Sequence, residues 1–514
     1  MKPIRLVIAF CLLLFTFSAS YAVSPARPAA VKLTPAQEKY NVAITHFNAA
    51  TRPLVTPLID ANILEMQALA QSPEYRSDPV VHNLLGYLEL TRNNPAAAVL
   101  ELQQAVQLRP GDLDARSNLG SALRQTMHYS EAAEQYQYIL DHAASSAGGV
   151  NTTQTKFNLA TVLGQAGRLD ESLALFSELA AASPDAATMK NYGFFLQKAG
   201  KTQSAADALR KSAELNPQDA GTWLSAGELY VKTGSNEEAL SALTHAVDPA
   251  EVPPLDAASL YAAHFALGEV YASKGDTTQA VREFNLSAAA QPQNSVPLYN
   301  AGVLQEQAGL NADAETSYRS ALTLDANNLQ IQTALGLLLA DEGKYREAAT
   351  QLSETAANLP HDAKAGPIYA RLGDVYAHLG QTPQATMSWR QALVLTPDDA
   401  DTQVSLANSY LAQKQYVSAL VQFDGAARAR PQDAAIQNGR GTAYQKLRQY
   451  PRALAAFQQA LTLNPHSGQI QNNIGVVLEL LGKRASAIAA YKKAIALNPG
   501  LREARLNLNR FAQK

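Results

Sequence analysis

Nine histidines and one cysteine are the residues best able to hold a metal or act as a nucleophile, and their placement argues against both uses. Metal ligands on a helix need two imidazoles three or four residues apart, so that both reach one ion, and no two histidines here are so spaced. Cys11 stands alone, which excludes a thiolate cluster or a disulfide within the chain. There is no HExxH, no GxSxG, no P-loop and no GxGxxG; Gly439-Arg440-Gly441 only suggests the last. The acidic run Asp398-Asp399-Ala400-Asp401 follows Pro397 at a helix start, where carboxylates offset the positive end of the helix dipole. Asn151-Thr152-Thr153 and Asn285-Leu286-Ser287 fit the glycosylation sequon, a triplet common by chance. These residues describe a protein that is not an enzyme, with no catalytic group, metal site or cofactor.

What they leave is a large chain of ordinary chemistry. Its 514 residues exceed the roughly 100–200 of one compact domain. A hydrophobic fraction of 47% against 17% charged excludes wholesale disorder. Lys plus Arg is 42 and Asp plus Glu is 45, for a net charge of −3. That balance argues against nucleic-acid binding, which needs a basic face to displace counterions.

Residues 1–22 read as an address. Lys2 and Arg5 precede the apolar run Leu6 to Phe17, and small residues stand at Ser20 and Ala22. This is the pattern of a cleaved secretory signal, and the run is shorter than the ~20 residues of a membrane span. Cleavage after Ala22 removes Cys11, which suits an oxidising compartment. The expectation is a periplasmic or secreted protein, with membrane attachment only if the segment is retained. Residues 23–34, rich in Pro and Ala, read as an extended leader.

The rest repeats. Pro397, Pro431, Pro465 and Pro499 follow one another at intervals of 34. Anchored on them, twelve repeats run from Pro79 to Leu501. The eighth residue of each is Gly or Ala, from Gly86 and Gly120 to Gly441 and Gly475. The twentieth is Ala in all but one, where it is Ser172, and the twenty-fourth is large and apolar, as in Phe176, Trp389 and Tyr491. Position fifteen is Gly in eight repeats and marks a turn. Each repeat is therefore two antiparallel helices, with small residues letting the backbones approach and proline stopping the second helix. Two junctions are longer than the period, His142 to Thr152 and Asp248 to Leu255, and are either hinges or long surface loops. Residues 35–78 read as two N-terminal helices, a worn repeat or an unrelated cap. Residues 502–514 read as a capping helix with Leu501, Ala504, Leu508 and Phe511 on one stripe.

Tyr369, Leu372, Gly373, Tyr376, Ala385, Trp389, Ala392 and Pro397 resemble, in order, the pattern of the tetratricopeptide repeat family, and Trp223, Gly227, Tyr230, Ala239 and Ala246 meet it again. The resemblance implies an all-α solenoid, a right-handed superhelix of about twelve antiparallel helix pairs. It also implies that positions two, six, nine and thirteen of each first helix line a concave groove where extended peptides or partner proteins bind.

Position six is Asn in five repeats: Asn118, Asn158, Asn191, Asn300 and Asn473. A side-chain amide donates and accepts, so a row of them suits a peptide backbone. The row is similar to the asparagine ladder in the repeat domain of the O-linked N-acetylglucosamine transferases. Early in the stack the lining carries Phe157, Lys190, Phe194, Lys198 and Lys232; later come Glu228, Phe265, Glu269, Tyr299, Glu306, Asp341 and Asp374. Aromatic rings beside carboxylates suit a peptide with apolar and basic side chains, or are simply a solvated face. The leading expectation is an exported, non-enzymatic scaffold binding proteins or peptides in its groove, in envelope assembly, secretion or polysaccharide export. The alternatives are the repeat part of a glycosyltransferase system and a membrane-anchored scaffold.

Overall fold

The computed structural model describes residues 34–51, 56–143, 151–359 and 363–512. The expected signal segment and leader lie outside these, apart from Thr34, as does most of the first long junction. Among the described residues there are 27 α-helices, one 3-10 turn at Ala363–Ala365 and no strand. Twelve successive repeats hold a first helix, A, and a second, B. The A helices are Pro79–Thr91, Leu113–Gln125, Thr152–Gln165, Ala186–Lys198, Ala220–Thr233, Ala257–Ser273, Val296–Gln307, Leu329–Asp341, Gly366–His378, Ala400–Ala412, Ala434–Lys446 and Gly468–Leu480. The B helices are Pro95–Leu108, Tyr129–His142, Leu169–Ala182, Thr202–Leu215, Asn236–Val247, Thr277–Ala290, Asn311–Leu324, Tyr345–Asn358, Thr382–Leu395, Tyr416–Ala429, Tyr450–Leu463 and Arg484–Leu497. Pro35–Thr51 and Thr56–Gln71 precede them, and Arg502–Ala512 follows.

The chain divides into two compact units, Met1–Ser183 and Pro184–Lys514. The division falls at the end of the third repeat, at neither long junction. The second junction is pinned: Val252 is buried, and Gln218 Nε2 donates to the Glu251 carbonyl at 2.7 Å. Asp256 then caps the sixth A helix through the Ser259 amide at 2.8 Å, so this helix starts four residues before the thirty-four-residue frame would place it.

The repeated residues do specific jobs. A Cβ added at Gly227 would lie 2.5 Å from Leu243 Cγ, at Gly302 2.6 Å from Tyr318 Cε1 and at Gly475 2.6 Å from Tyr491 Cε1. Position eight is thus small because position twenty-four of the same repeat lies on its backbone. Position twenty is buried throughout, and Ser172, the exception, donates to the Ala160 carbonyl at 2.6 Å.

The turn between A and B needs a left-handed residue in every repeat. Eight glycines supply it, from Gly167 at φ 87° to Gly482 at 75°, and the other four repeats use Asn93, Met127, Lys414 and Arg448 at φ between 59° and 65°. A side chain there costs about 1–2 kcal/mol, of which glycine's larger unfolded-state entropy would return about 0.5–1. Met127→Gly, Lys414→Gly and Arg448→Gly are therefore each expected to stabilise by about 0.5–1 kcal/mol, read as higher denaturant midpoints with unchanged slopes.

Position four supplies a link between repeats that packing alone would not. Trp223 donates to the Pro217 carbonyl at 3.2 Å, Gln332 to that of Ala326 at 2.7 Å, Gln403 to that of Pro397 at 2.6 Å and Gln437 to that of Pro431 at 3.2 Å. Arg116 does the same to Pro110 at 2.8 Å in the first unit. Each ties an A helix to the turn that follows the preceding B helix, giving a partner to the carbonyl two residues past that helix's end.

At the N-terminus, Ile59, Ile63, Met66 and Leu69 are buried against Val81, Leu85 and Leu88. His46 Nδ1 meets Glu65 at 2.8 Å, nineteen residues on, the separation that joins helix A to helix B in His82–Glu101 and His264–Glu283, both at 2.7 Å. At the C-terminus Leu501 and Ala504 are buried against Ala494, and Arg510 reaches Glu479 at 2.5 Å. The Phe511 side chain lies outside the described ones.

Candidate functional site

Within Pro184–Lys514, A helices of adjacent repeats touch one another as well as the B helix between them: five with six, seven with eight, eight with nine, ten with eleven and eleven with twelve. No two B helices there pack as closely, so the A helices hold the inner side of the curvature. A hollow of about 620 Å³ on that side spans the A helices of repeats seven to nine. Tyr299, Val303, Leu337, Leu359 and Ile368 give it apolar walls, with Gln330 and Thr333 as neutral polar groups and Glu306 and Lys364 as charged ones. Beneath it lies a continuous core including Tyr318, Leu335, Leu338, Leu339 and Leu352, which makes the walls rigid. A second hollow of about 670 Å³ is formed by the turns Gln291–Val296 and Leu324–Asn328, but its amides Asn294 and Asn328 are spent as helix caps.

The asparagine row does not present itself as a free ladder. Asn118 Nδ2 donates to Asn83 Oδ1 at 2.9 Å and Asn473 Nδ2 to Asn438 Oδ1 at 3.0 Å, each bridging two adjacent A helices. Asn507 of the last helix repeats this with Asn472 at 3.0 Å. Asn158 accepts from Gln154 Nε2 at 3.1 Å, Asn191 donates to the Ala187 carbonyl at 2.9 Å, and Asn300 is half-buried. Two members of the row, Asn118 and Asn473, therefore fasten adjacent A helices together, while Asn158 and Asn191 bond within their own helices.

The charged lining divides in the same way. Lys190 Nζ holds Asp219 Oδ2 at 2.7 Å, while Asp219 caps the fifth A helix through Thr222. Burial would raise the Asp219 pKa, but hydrogen bonds from Lys190 and Thr222 outweigh it and hold the group below its ordinary value. Glu306 accepts from Tyr318 Oη at 2.6 Å and Asp374 from Trp389 Nε1 at 3.0 Å, so each satisfies the polar tip of the aromatic residue at position twenty-four. Asp341 pairs with Arg371.

Glu228 and Glu269, at position nine of repeats five and six, differ from these. Desolvation pushes both carboxyls above the usual range, partly countered for Glu228 by Lys232 one turn away. Among the described residues no lysine or arginine pairs with Glu269, which stands one turn from Phe265 on the same helix. Phe265 stacks on Tyr261 at 5.7 Å. Phe194, 47% exposed, and the exposed Lys198 stand on the fourth A helix. The groove thus carries Glu269 one turn from Phe265 in repeat six and Glu228 in repeat five, with the hollow of repeats seven to nine further along. No described cluster of His, Cys, Asp and Glu could hold a metal, and no described helix is long and apolar enough to cross a membrane.

Part of the chain, 37%, is 26% identical over 191 residues to the BBSome complex member BBS4 of Bos taurus, and the match spans 35% of that relative. Among solved structures, a chain of the APC/C hetero-tetramer Cut9-Hcn1 pairs 96% of its length with 93% of this chain at 15% identity and a TM-score of 0.32. YrrB, described as a TPR protein with an unusual peptide-binding site, pairs all of its length with 41% of this chain at 19% identity and a TM-score of 0.34. Sequence profiles of the tetratricopeptide repeat match residues 83–148, 153–178, 196–253, 370–434 and 438–501. With those matches on the same helix pairs that the structure shows, the chain belongs to the tetratricopeptide repeat family.

Proposed function

We propose that the protein is an exported, non-catalytic scaffold that holds an extended segment of a partner protein across repeats five to nine. The observation that carries this reading is the hollow walled by Tyr299, Val303, Leu337 and Ile368, an anchoring place for large apolar side chains. Glu228 and Glu269, upstream in the same groove, favour a basic side chain in the same segment, because a partner cation would relieve carboxylates that the protein itself leaves under-compensated. Export is supported by Lys2, Arg5 and the apolar run Leu6–Phe17 ending at Ser20 and Ala22. A groove-binding role without chemistry accords with the family's usual use as an interaction scaffold.

Photocrosslinking amino acids placed at Val303 and Leu337 in living cells test this, with Thr350 on the outer face of repeat eight as control. Adducts with polypeptides are expected from the first two positions and not from the third. Glu228→Gln with Glu269→Gln is expected to reduce them severalfold. Equal yields from all three positions would sink the groove reading, and a mature N-terminus other than residue 23 would sink the cleavage site.

A further inference from the structure

The outer face of the B helices is mostly polar in the second unit, and its most exposed large apolar side chains fall on repeats nine and ten. Position twenty-two points to solvent in repeats four to twelve. There the residues are Asp207, Ser241, Arg282, Thr316 and Thr350, then Met387 and Val421, then Ala455 and Ala489. Met387 is 70% exposed and Val421 59%. One or two turns away on the same faces stand Val394, 71% exposed, and Val417, 65% exposed. Single exposed apolar residues are normal, but here four stand on just two successive B helices.

The rim has a sign. Arg390 lies between Met387 and Val394, and Arg428 lies on the Val421 stripe; both are exposed, and among the described residues neither pairs with a carboxylate. Asp424, one turn from Arg428 on the same helix, is held by Arg440 of the next A helix at 2.7 Å. Val417 and Val421 stand on the B helix of the repeat after the one that carries Met387 and Val394. Met387 to Val394 covers about 10 Å of helix at 1.5 Å per residue. That length and the four-residue spacing of Val417 and Val421 match two turns of an amphipathic helix laid over them.

We propose that the outer face of repeats nine and ten is a second docking surface, for an acidic amphipathic helix of a partner protein whose aliphatic stripe covers Met387, Val394, Val417 and Val421 and whose carboxylates meet Arg390 and Arg428. It is independent of the inner groove, so one chain can hold two partners at once.

The test uses the full mature chain and two fluorescent helical peptides of about eighteen residues, one with leucine at helical spacing on a glutamate background and one on a lysine background. Met387→Gln with Val421→Thr gives the patch the polar character of other repeats, and unchanged thermal melting shows that the variant folds. The glutamate peptide is expected to bind, to lose about tenfold or more in that variant, and to lose about tenfold in Arg390→Glu with Arg428→Glu, which gains affinity for the lysine peptide. Leu337→Glu in the inner groove should leave this binding unchanged. Equal binding of the two peptides, or indifference to the patch variants, overturns the proposal. So do patch-dependent self-association in sedimentation, which makes a second copy the occupant, and patch-dependent binding to anionic vesicles without peptide binding, which makes it a bilayer.

Discussion

Replacing Phe423 by alanine is expected to cost about 3–5 kcal/mol and to open repeats ten and eleven while repeats seven and eight stay folded. Phe423 is 1% exposed and packs against Ala407 of its own repeat and Ala443 of the next. A Cβ on Gly439 would lie 2.5 Å from its Cζ, so the next A helix is seated directly on the ring. The loss is local because the core thins here. Repeats seven to nine share one large cluster from Ala314 to Val375, whereas around repeats nine to eleven the core breaks into three small groups centred on Trp389, Ala426 and Phe423. In a stack where each repeat touches only its neighbours, a thin place opens first. Hydrogen exchange measures this directly. Amides of residues 400–446 should lose protection by orders of magnitude, while those of residues 296–341 keep theirs. A uniform loss along the second unit would mean that the stack melts as one block.

Which parts of this were legible in the residues follows from which interactions recur with the period. Small residues at eight and twenty and large ones at twenty-four recur twelve times because backbone approach demands them in every repeat, so the helix pairs and their turns can be read directly. The left-handed turn was half legible. Gly announces it in eight repeats, but Met127, Lys414 and Arg448 carry no propensity for it and are held there by the helices on either side. Interactions that join one repeat to the next were hidden, because their partners differ in type and lie far apart. Asn83 with Asn118 and Asn438 with Asn473 are one period plus one residue apart, a spacing that reveals the amide bridge only once helix A is known to touch helix A. Reading position six alone made those asparagines look free for a peptide. That Glu306 and Asp374 also hold Tyr318 and Trp389 was hidden too, because those bonds depend on how far an aromatic tip reaches across the repeat. The hollow of repeats seven to nine was marked in the residues only by Tyr299 and Glu306, since Val303, Leu337 and Ile368 are ordinary apolar residues until three helices bring them together.

The contact between positions eight and twenty-four gives the second large effect. Gly373→Ala puts a methyl group 2.5 Å from the Trp389 Nε1, and Trp389 has little room to yield: it is 5% exposed, and its indole is tied to Asp374 at 3.0 Å. Forcing one methyl group into a filled site costs about 1–3 kcal/mol, with the upper part of that range expected here because the ring must also give up its hydrogen bond. The protein itself shows how the cost can be removed. Where position eight is alanine, at Ala160 and Ala407, position twenty-four is Phe176 and Phe423, and all four are buried. A phenylalanine ring is smaller than an indole and has no polar tip to place. Trp389→Phe alone should therefore destabilise, by opening space and leaving Asp374 without its donor, yet on the Gly373→Ala background it should recover about 1 kcal/mol or more. The double-mutant cycle, read from urea midpoints, should thus show a favourable coupling between residues 373 and 389. Additive effects would mean that the methyl group is accommodated by a shift of the helices rather than by the ring. The close approach at position eight would then be a consequence of the fold and not one of its determinants.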